Sequence, residues 1–260
     1  MPHQAPQLSS PLAPLAALPL IAIVMEGAPM PRSKNTFTPQ DANLRRVTEA
    51  FSRLKAAGRD DRDIWSAFVT MAAAPMALAA GCAPSSLVED ARRQFARYEG
   101  FVGEFDEMLS AVVDALEGNP DRDVMGYVYN ALGFPISSRS QFFTPYDISK
   151  MIAQMMLADS AQAKKKGYIS ICDPCAGSGG MLVAAFNVIR DQGMNPQTDA
   201  WFEAQDISQD TALMCYVQMS LLGMAGRVIV GDSLAGTRSM ELLTIGAVAH
   251  PVWAARRLPS

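Results

Sequence analysis

One stretch in the second half of the chain carries the densest chemistry: Ile171-Cys172-Asp173-Pro174-Cys175-Ala176-Gly177-Ser178-Gly179-Gly180. A short apolar run from Tyr168 ends in the carboxylate of Asp173. Glycines follow, and they let the backbone pass close to a ligand before a helix begins. A Gly-x-Gly turn alone is a weak signal, because such turns are common in α/β proteins. Two further carboxylates strengthen it. Asp206 closes a second apolar run, Trp201 to Asp206, where an acid accepts hydrogen bonds from ribose hydroxyls in nucleotide-binding folds. It lies 33 residues beyond Asp173, more than the usual ~20, and the loop from Gly193 to Ala200 can absorb the excess. Asp232 follows a third run in Val230-Gly231-Asp232-Ser233-Leu234, where a side-chain oxygen can accept from an adenine amino group. Each acid alone reads as a helix cap or a solvated loop residue. Three of them at strand C-terminal ends read as a ligand site.

The elements that must position these groups alternate. Tyr168 to Asp173, Trp201 to Asp206 and Arg227 to Gly231 are strand candidates. Between them lie helices with Leu182, Ala185, Phe186 and Ile189 on one face, and Leu213, Tyr216, Val217 and Leu221 on the other helix's face. Strand, helix, strand, helix, strand predicts a parallel α/β sheet. Upstream, residues 38 to about 160 predict helices. Thr38-Pro39-Gln40-Asp41 opens the first with a capping-box pattern and Gly58 closes it. Segments 62–73, 86–97, 103–117 and 122–132 follow, broken by Pro75, Gly100 and the turn Gly118-Asn119-Pro120-Asp121. Over 146–158, Ile148, Met151, Ile152 and Met155 fall at i, i+3, i+4, i+7, which predicts one buried helix face. No repeat of fixed period is present.

Composition bounds the rest. The 260 residues are 49% hydrophobic and 18% charged, which is globular rather than disordered. A net charge of −4 supplies no overall positive field toward nucleic acid, so any DNA contact needs a local basic patch or a partner. Cys82, Cys172, Cys175 and Cys215 are too sparse for a disulfide framework and point to a reducing cytoplasm. Cys172-x-x-Cys175 is a redox pattern only in isolation, since it sits inside the Gly-rich stretch. The apolar segment Leu12 to Met25 holds Pro14 and Pro19, is shorter than the ~20 residues of a span, and has no Lys or Arg before it. It is read as neither a signal peptide nor a membrane anchor. Residues 1–37 are expected to be a disordered or mis-assigned extension, the latter with a true start at Met25 or Met30. Leu78-Ala79-Ala80-Gly81-Cys82 imitates a lipoprotein box but reads as a helix end capped by Gly81. The expected organisation is 1–37 extension, 38–135 helical region and 136–260 ligand-binding domain.

One more segment completes the pattern: Ser140-Gln141-Phe142-Phe143-Thr144-Pro145, directly before the 146–158 helix. With it, residues of roughly 120–235 resemble the N6-adenine DNA methylase family, in particular the modification subunits of type I restriction systems. Gln141-Phe142-Phe143-Thr144-Pro145 resembles that family's first cofactor motif, which cradles the methionine end of S-adenosyl-L-methionine (SAM). Asp173-Pro174-Cys175-Ala176-Gly177-Ser178-Gly179 resembles its Gly-rich motif, with the usual Ala-Cys order reversed. Ala204-Gln205-Asp206-Ile207 is similar to the ribose-binding segment and Gly231-Asp232-Ser233-Leu234 to the adenine-binding one. Asp123-Val124-Met125-Gly126-Tyr127-Val128-Tyr129 resembles a short helix just upstream.

The resemblance implies a Rossmann-like, SAM-dependent methyltransferase sheet, incomplete at its C-terminal side and preceded by an α-helical N-terminal region. It implies a site-specific adenine-N6 DNA methyltransferase of a restriction-modification system. SAM would be held by Gln141, Phe143, Thr144, Pro145, Asp173, Pro174, Gly177, Ser178, Gly179, Asp206 and Asp232. Methyl transfer to the amino nitrogen would be direct and in line, with no metal and no membrane. The partner would be DNA, together with a specificity subunit or a second methyltransferase half.

The family's Asn-Pro-Pro-aromatic motif, which holds the amino protons and stacks on the flipped base, is absent. Asn119-Pro120 and Asn195-Pro196 have the wrong flanks. A fourth strand expected over Leu242 to Ala249 would place His250-Pro251-Val252-Trp253 where that motif belongs, making His250 and Trp253 candidates for a degenerate target-base site. The other reading of that run is a hydrophobic tail on the sheet edge. The competing function is a catalytically inactive, SAM-binding partner or regulatory protein of a restriction-modification complex. A small-molecule or RNA methyltransferase on the same sheet is disfavoured by the Gln-Phe-Phe-Thr-Pro segment.

Overall fold

The computed structural model describes residues 42–134, 143–158 and 167–256. Residues 1–37, the capping box at 38–41 and Gln141 lie outside them.

Helices come first, as their periodicity requires. They are α1 (Ala42–Ala56), α2 (Asp61–Ala79), α3 (Ser85–Arg97), α4 (Val102–Gly118) and α5 (Val124–Ala131), with a 3-10 turn at Glu99–Phe101. Asp60 caps α2 by accepting from the amides of Arg62 and Asp63, and Asp123 caps α5 by accepting from Gly126. The break expected at Pro75 does not occur: α2 runs through it to Ala79. Proline forfeits one backbone bond, but α2 packs against α3 and against the helix Gln209–Leu221, and nearly every residue from Ile64 to Ala77 is buried. That burial outweighs the local preference.

The α/β part follows. β1 (Ile169–Asp173), α7 (Gly180–Asp191), the short α8 (Pro196–Asp199), β2 (Ala200–Asp206), α9 (Gln209–Leu221) and β3 (Gly226–Val230) alternate as read. β1, β2 and β3 pair in parallel in that order, with Asp173 opposite Ala204 and Asp206 opposite Val230. The C-terminal ends of the three strands therefore lie side by side. One continuous hydrophobic cluster runs from Val47 on α1, through α2, α5, α7 and α9, to Leu242 and Ile245. The helical region and the sheet share this core.

Two expectations are corrected. The fourth strand is Met240–Leu243 (β4), antiparallel to β3 on its outer side, and Ile245–Ala249 is a helix, α10. Thr244 turns the chain between them. Its hydroxyl donates to Met224 O at 2.6 Å and accepts from the Gly226 amide at 3.0 Å, which halts the strand and opens the helix. The second concerns α6 (Tyr146–Met156). It forms as predicted and packs on α7, but its buried residues are Ser149 and Ala153. Ile148, Met151 and Met155 are 44%, 50% and 73% exposed. Small residues let two helices approach closely, and here they displaced the apolar stripe from the core.

Candidate functional site

The loop from Pro174 to Gly179 joins β1 to α7 and is fastened to β2. The Ala176 amide donates to Gln205 O at 2.9 Å and the Gly177 amide to Asp206 Oδ2 at 3.0 Å. Gly177 has φ +58° and Gly179 φ +91°, a region that side chains with a Cβ rarely adopt. A Cβ at Gly177 would sit 3.0 Å from the Phe143 ring, and one at Gly179 would sit 2.8 Å from Cys215 Sγ on α9. The loop is thus held between an aromatic ring and a buried thiol. Phe143 is itself braced edge-on by Tyr129, ring centroids 5.5 Å apart. Ser178 is buried, and its hydroxyl donates to Asp123.

The three carboxylates sit in distinct settings. Asp173 Oδ1 accepts from the Cys175 amide at 3.1 Å, and burial raises its carboxyl above the ordinary range. Asp206 accepts from Gly177 through Oδ2 and from Ser208 through Oδ1 at 2.9 Å. Burial raises it too; the two amides oppose that shift and the neighbouring Asp173 charge adds to it. Asp232 Oδ1 accepts from Leu234 at 2.9 Å and Ala235 at 3.0 Å, closing the turn after β3. Cys175 Sγ lies 4.0 Å from Ser233 Oγ, so the Gly-rich loop and this turn meet.

Beside them a cleft of about 740 Å³ opens along β1, α6 and α7, with Thr144, Asp173, Cys175 and Met181 in its wall. That size falls within the ~300–1,000 Å³ typical of small-molecule sites. Asp206 and Asp232 are not among its lining residues. Pro174, Thr144 and Pro145 are exposed, and Pro145 precedes the first turn of α6. The structure therefore gathers Phe143, Thr144, Asp173, the glycines, Asp206 and Asp232 around the strand ends.

It separates His250 and Trp253 from them. Trp253 is buried against Trp201 and Tyr168, with centroids 5.4 and 5.5 Å away, and its indole N–H donates to Gln197 O at 2.8 Å. Tyr168 and Trp201 lie at the starts of β1 and β2, so this satellite cluster occupies the opposite end of the sheet. Because β4 is antiparallel and on the far side of β3, the chain returns to the strand starts before reaching His250. His250 and Trp253 thus lie at the other end of the sheet from the three carboxylates.

Tyr129, Cys215 and Asp123 hold the site from behind, a role that the sequence did not assign to them. Their signal was small: Cys215 reads as one of four sparse cysteines, and Asp123 and Tyr129 only as the two ends of the short upstream helix.

A parallel β1–β2–β3 core with a Gly-rich loop after β1, acids ending β1 and β2 and Asp232 in the turn after β3 is consistent with an α/β methyltransferase fold. The family model for N-6 DNA Methylase matches residues 120–256, more than half of the chain. The chain belongs to the N-6 DNA methylase family. No curated protein matches it. Among solved structures it is similar to the type I restriction-modification system methyltransferase subunit from Streptococcus thermophilus, at 15% identity and a TM-score of 0.38. That match covers 70% of this chain and 56% of the other, so the chain spans little more than half of that subunit's length.

Proposed function

We propose that this chain is the SAM-binding part of an adenine-N6 DNA methyltransferase. The observation that carries the reading is the convergence of a Gly-rich loop and three carboxylates at adjacent parallel strand ends, in a member of this family. The residues present fit the cofactor. Gly177 and Gly179 hold the loop backbone at positive φ between Phe143 and Cys215 with no side chain of their own over the strand ends, and acids stand ready to accept from hydroxyl and amino groups. Asp206 would take the ribose hydroxyls, Asp232 the adenine amino group, and Phe143 and Thr144 would close over the methionine end. When bound, SAM supplies an electrophilic methyl group. The chain's part is to orient it and to shield it from water.

The target base needs groups that the described residues do not bring to the strand ends. Among the described residues β1 pairs only with β2, leaving its other edge without a strand beside the cleft. The net charge of −4 also supplies no overall positive field toward phosphates. Both features support a partner that completes the sheet and brings DNA, such as a second methyltransferase half or a specificity subunit. The second reading, a SAM-binding protein without its own catalysis, rests on the missing Asn-Pro-Pro-aromatic motif. Transfer of tritiated methyl from SAM to adenine in duplex DNA decides between them. Label in N6-methyladenine supports the enzyme; SAM binding without transfer by the chain alone or with its partner supports the inactive form.

A further inference from the structure

Gly118 to Asp121 reads as a turn and 122–132 as a helix, yet Asn119, Asp121, Arg122 and Asp123 are all buried where the two meet. Asp123 does more than cap α5. Its Oδ1 accepts from the Gly126 amide and from Gln218 Nε2, each at 2.9 Å, and its Oδ2 accepts from the Ser178 hydroxyl of the Gly-rich loop. Gln218, fully buried on α9, also donates to Ser178 O at 3.1 Å and accepts from the Met125 amide at 2.9 Å. The fit is close. A Cβ on Gly126 would lie 2.2 Å from Asp123 Oδ2 and 2.6 Å from Ser178 Oγ, and one on Gly180 would lie 2.8 Å from Asp123 Oδ2.

Two residues earlier, Asp121 works on the other half of the site. It accepts from Tyr146 Oη at 2.7 Å and pairs with Lys150, both on α6, which follows Phe143–Pro145 directly. Asn187 on α7 donates to Tyr146 Oη at 3.3 Å and to Pro120 O at 3.0 Å, closing the bracket.

We propose that Asp121 and Asp123 are positioning residues, a two-carboxylate latch that sets the Gly-rich loop and the Phe143–α6 segment in register with each other. The assignment deepens the SAM-binding reading and rests on it for its purpose. Ionised carboxylates suit this place because each accepts several donors at once, and a bond to a charged acceptor is stronger than a neutral one. The alternating spacing of the two acids sends one to each half of the cradle.

Amide hydrogen exchange of the full chain without cofactor tests the latch, alongside SAM affinity by calorimetry. Ser178→Ala removes the loop bond alone, and exchange in peptides covering 174–179 should rise about tenfold while β2 and α9 stay protected. Tyr146→Phe should raise exchange in α6 and leave the loop unchanged. Each variant should weaken SAM binding by about tenfold, the equivalent of one such bond. Asp123→Asn keeps an acceptor for Gly126 and Gln218, so it should fold and lose less affinity than Asp123→Ala. Exchange that rises uniformly across the chain, or not at all, in both Ser178→Ala and Tyr146→Phe overturns the latch. Wild-type protein that binds no SAM overturns the proposed function instead, and the exchange result still decides the latch.

Discussion

Gly179 offers the sharpest test of how the loop is held. Its φ of +91° and the 2.8 Å gap to Cys215 Sγ impose two separate penalties on Gly179→Ala. The backbone penalty is about 1–2 kcal/mol for a non-glycine residue in this region. Overpacking against a buried atom adds roughly 1–3 kcal/mol. Together they predict a loss of about 2–5 kcal/mol, from a total stability of typically ~5–15 kcal/mol. Cys215→Ala removes the clashing sulfur. The next nearest atoms, Cys215 Cα and Cβ, stand at 3.7 Å, an ordinary contact. In that background Gly179→Ala should cost only the backbone share of about 1–2 kcal/mol. Urea denaturation of the four proteins in a double-mutant cycle measures the coupling, expected at about 1–3 kcal/mol in favour of the double variant. Equal costs of Gly179→Ala in both backgrounds would refute the steric account of the loop.

Other consequences can be checked together. Burial raises the Asp173 carboxyl, so the folded form holds its proton to higher pH than the unfolded chain; stability is lost as pH rises from the ordinary value of 3.8 through the raised one. Asp173→Asn keeps an acceptor for the Cys175 amide and should stabilise the cofactor-free protein at neutral pH, but not below pH 3.8, in thermal melts. Asp206→Asn should give no such gain, because Gly177 and Ser208 occupy different carboxylate oxygens and the amide offers only one. SAM affinity should fall with acidification at a pH above the ordinary carboxylate range, as Asp206 protonates. Trp253→Ala should destabilise the fold by about 3–5 kcal/mol, and His250→Ala should leave SAM affinity at the wild-type level. Burial lowers the His250 pKa, so stability is lost as pH falls below 6.5, and His250→Ala should flatten that slope.

What could be read in advance was whatever local pattern decides. Strand–helix alternation, the Gly-rich turn and the acids at 173, 206 and 232 are short-range signals, and the strand ends did come together. What could not be read depends on distant partners. The stripe of Ile148, Met151 and Met155 marks a helix correctly but cannot say that Ser149 and Ala153 face α7. Pro75 signals a break that the burial of α2 overrides. Thr244 looks unremarkable until its hydroxyl is seen on Met224 and Gly226, the contact that ends β4, whose antiparallel course has already carried the chain back toward the strand starts. Asp121 reads as a turn residue and Asp123 as the start of a short helix because their partners lie on α6, α9 and the Gly-rich loop.

The most direct test of the central claim is titration of the purified full chain with SAM by calorimetry, with Asp206→Ala as the control. Saturable one-site binding that weakens at least tenfold in the variant is the expected result. A folded wild-type protein that releases no heat of binding, or a variant that binds as tightly as wild type, would contradict the assignment of this loop and its carboxylates to the cofactor.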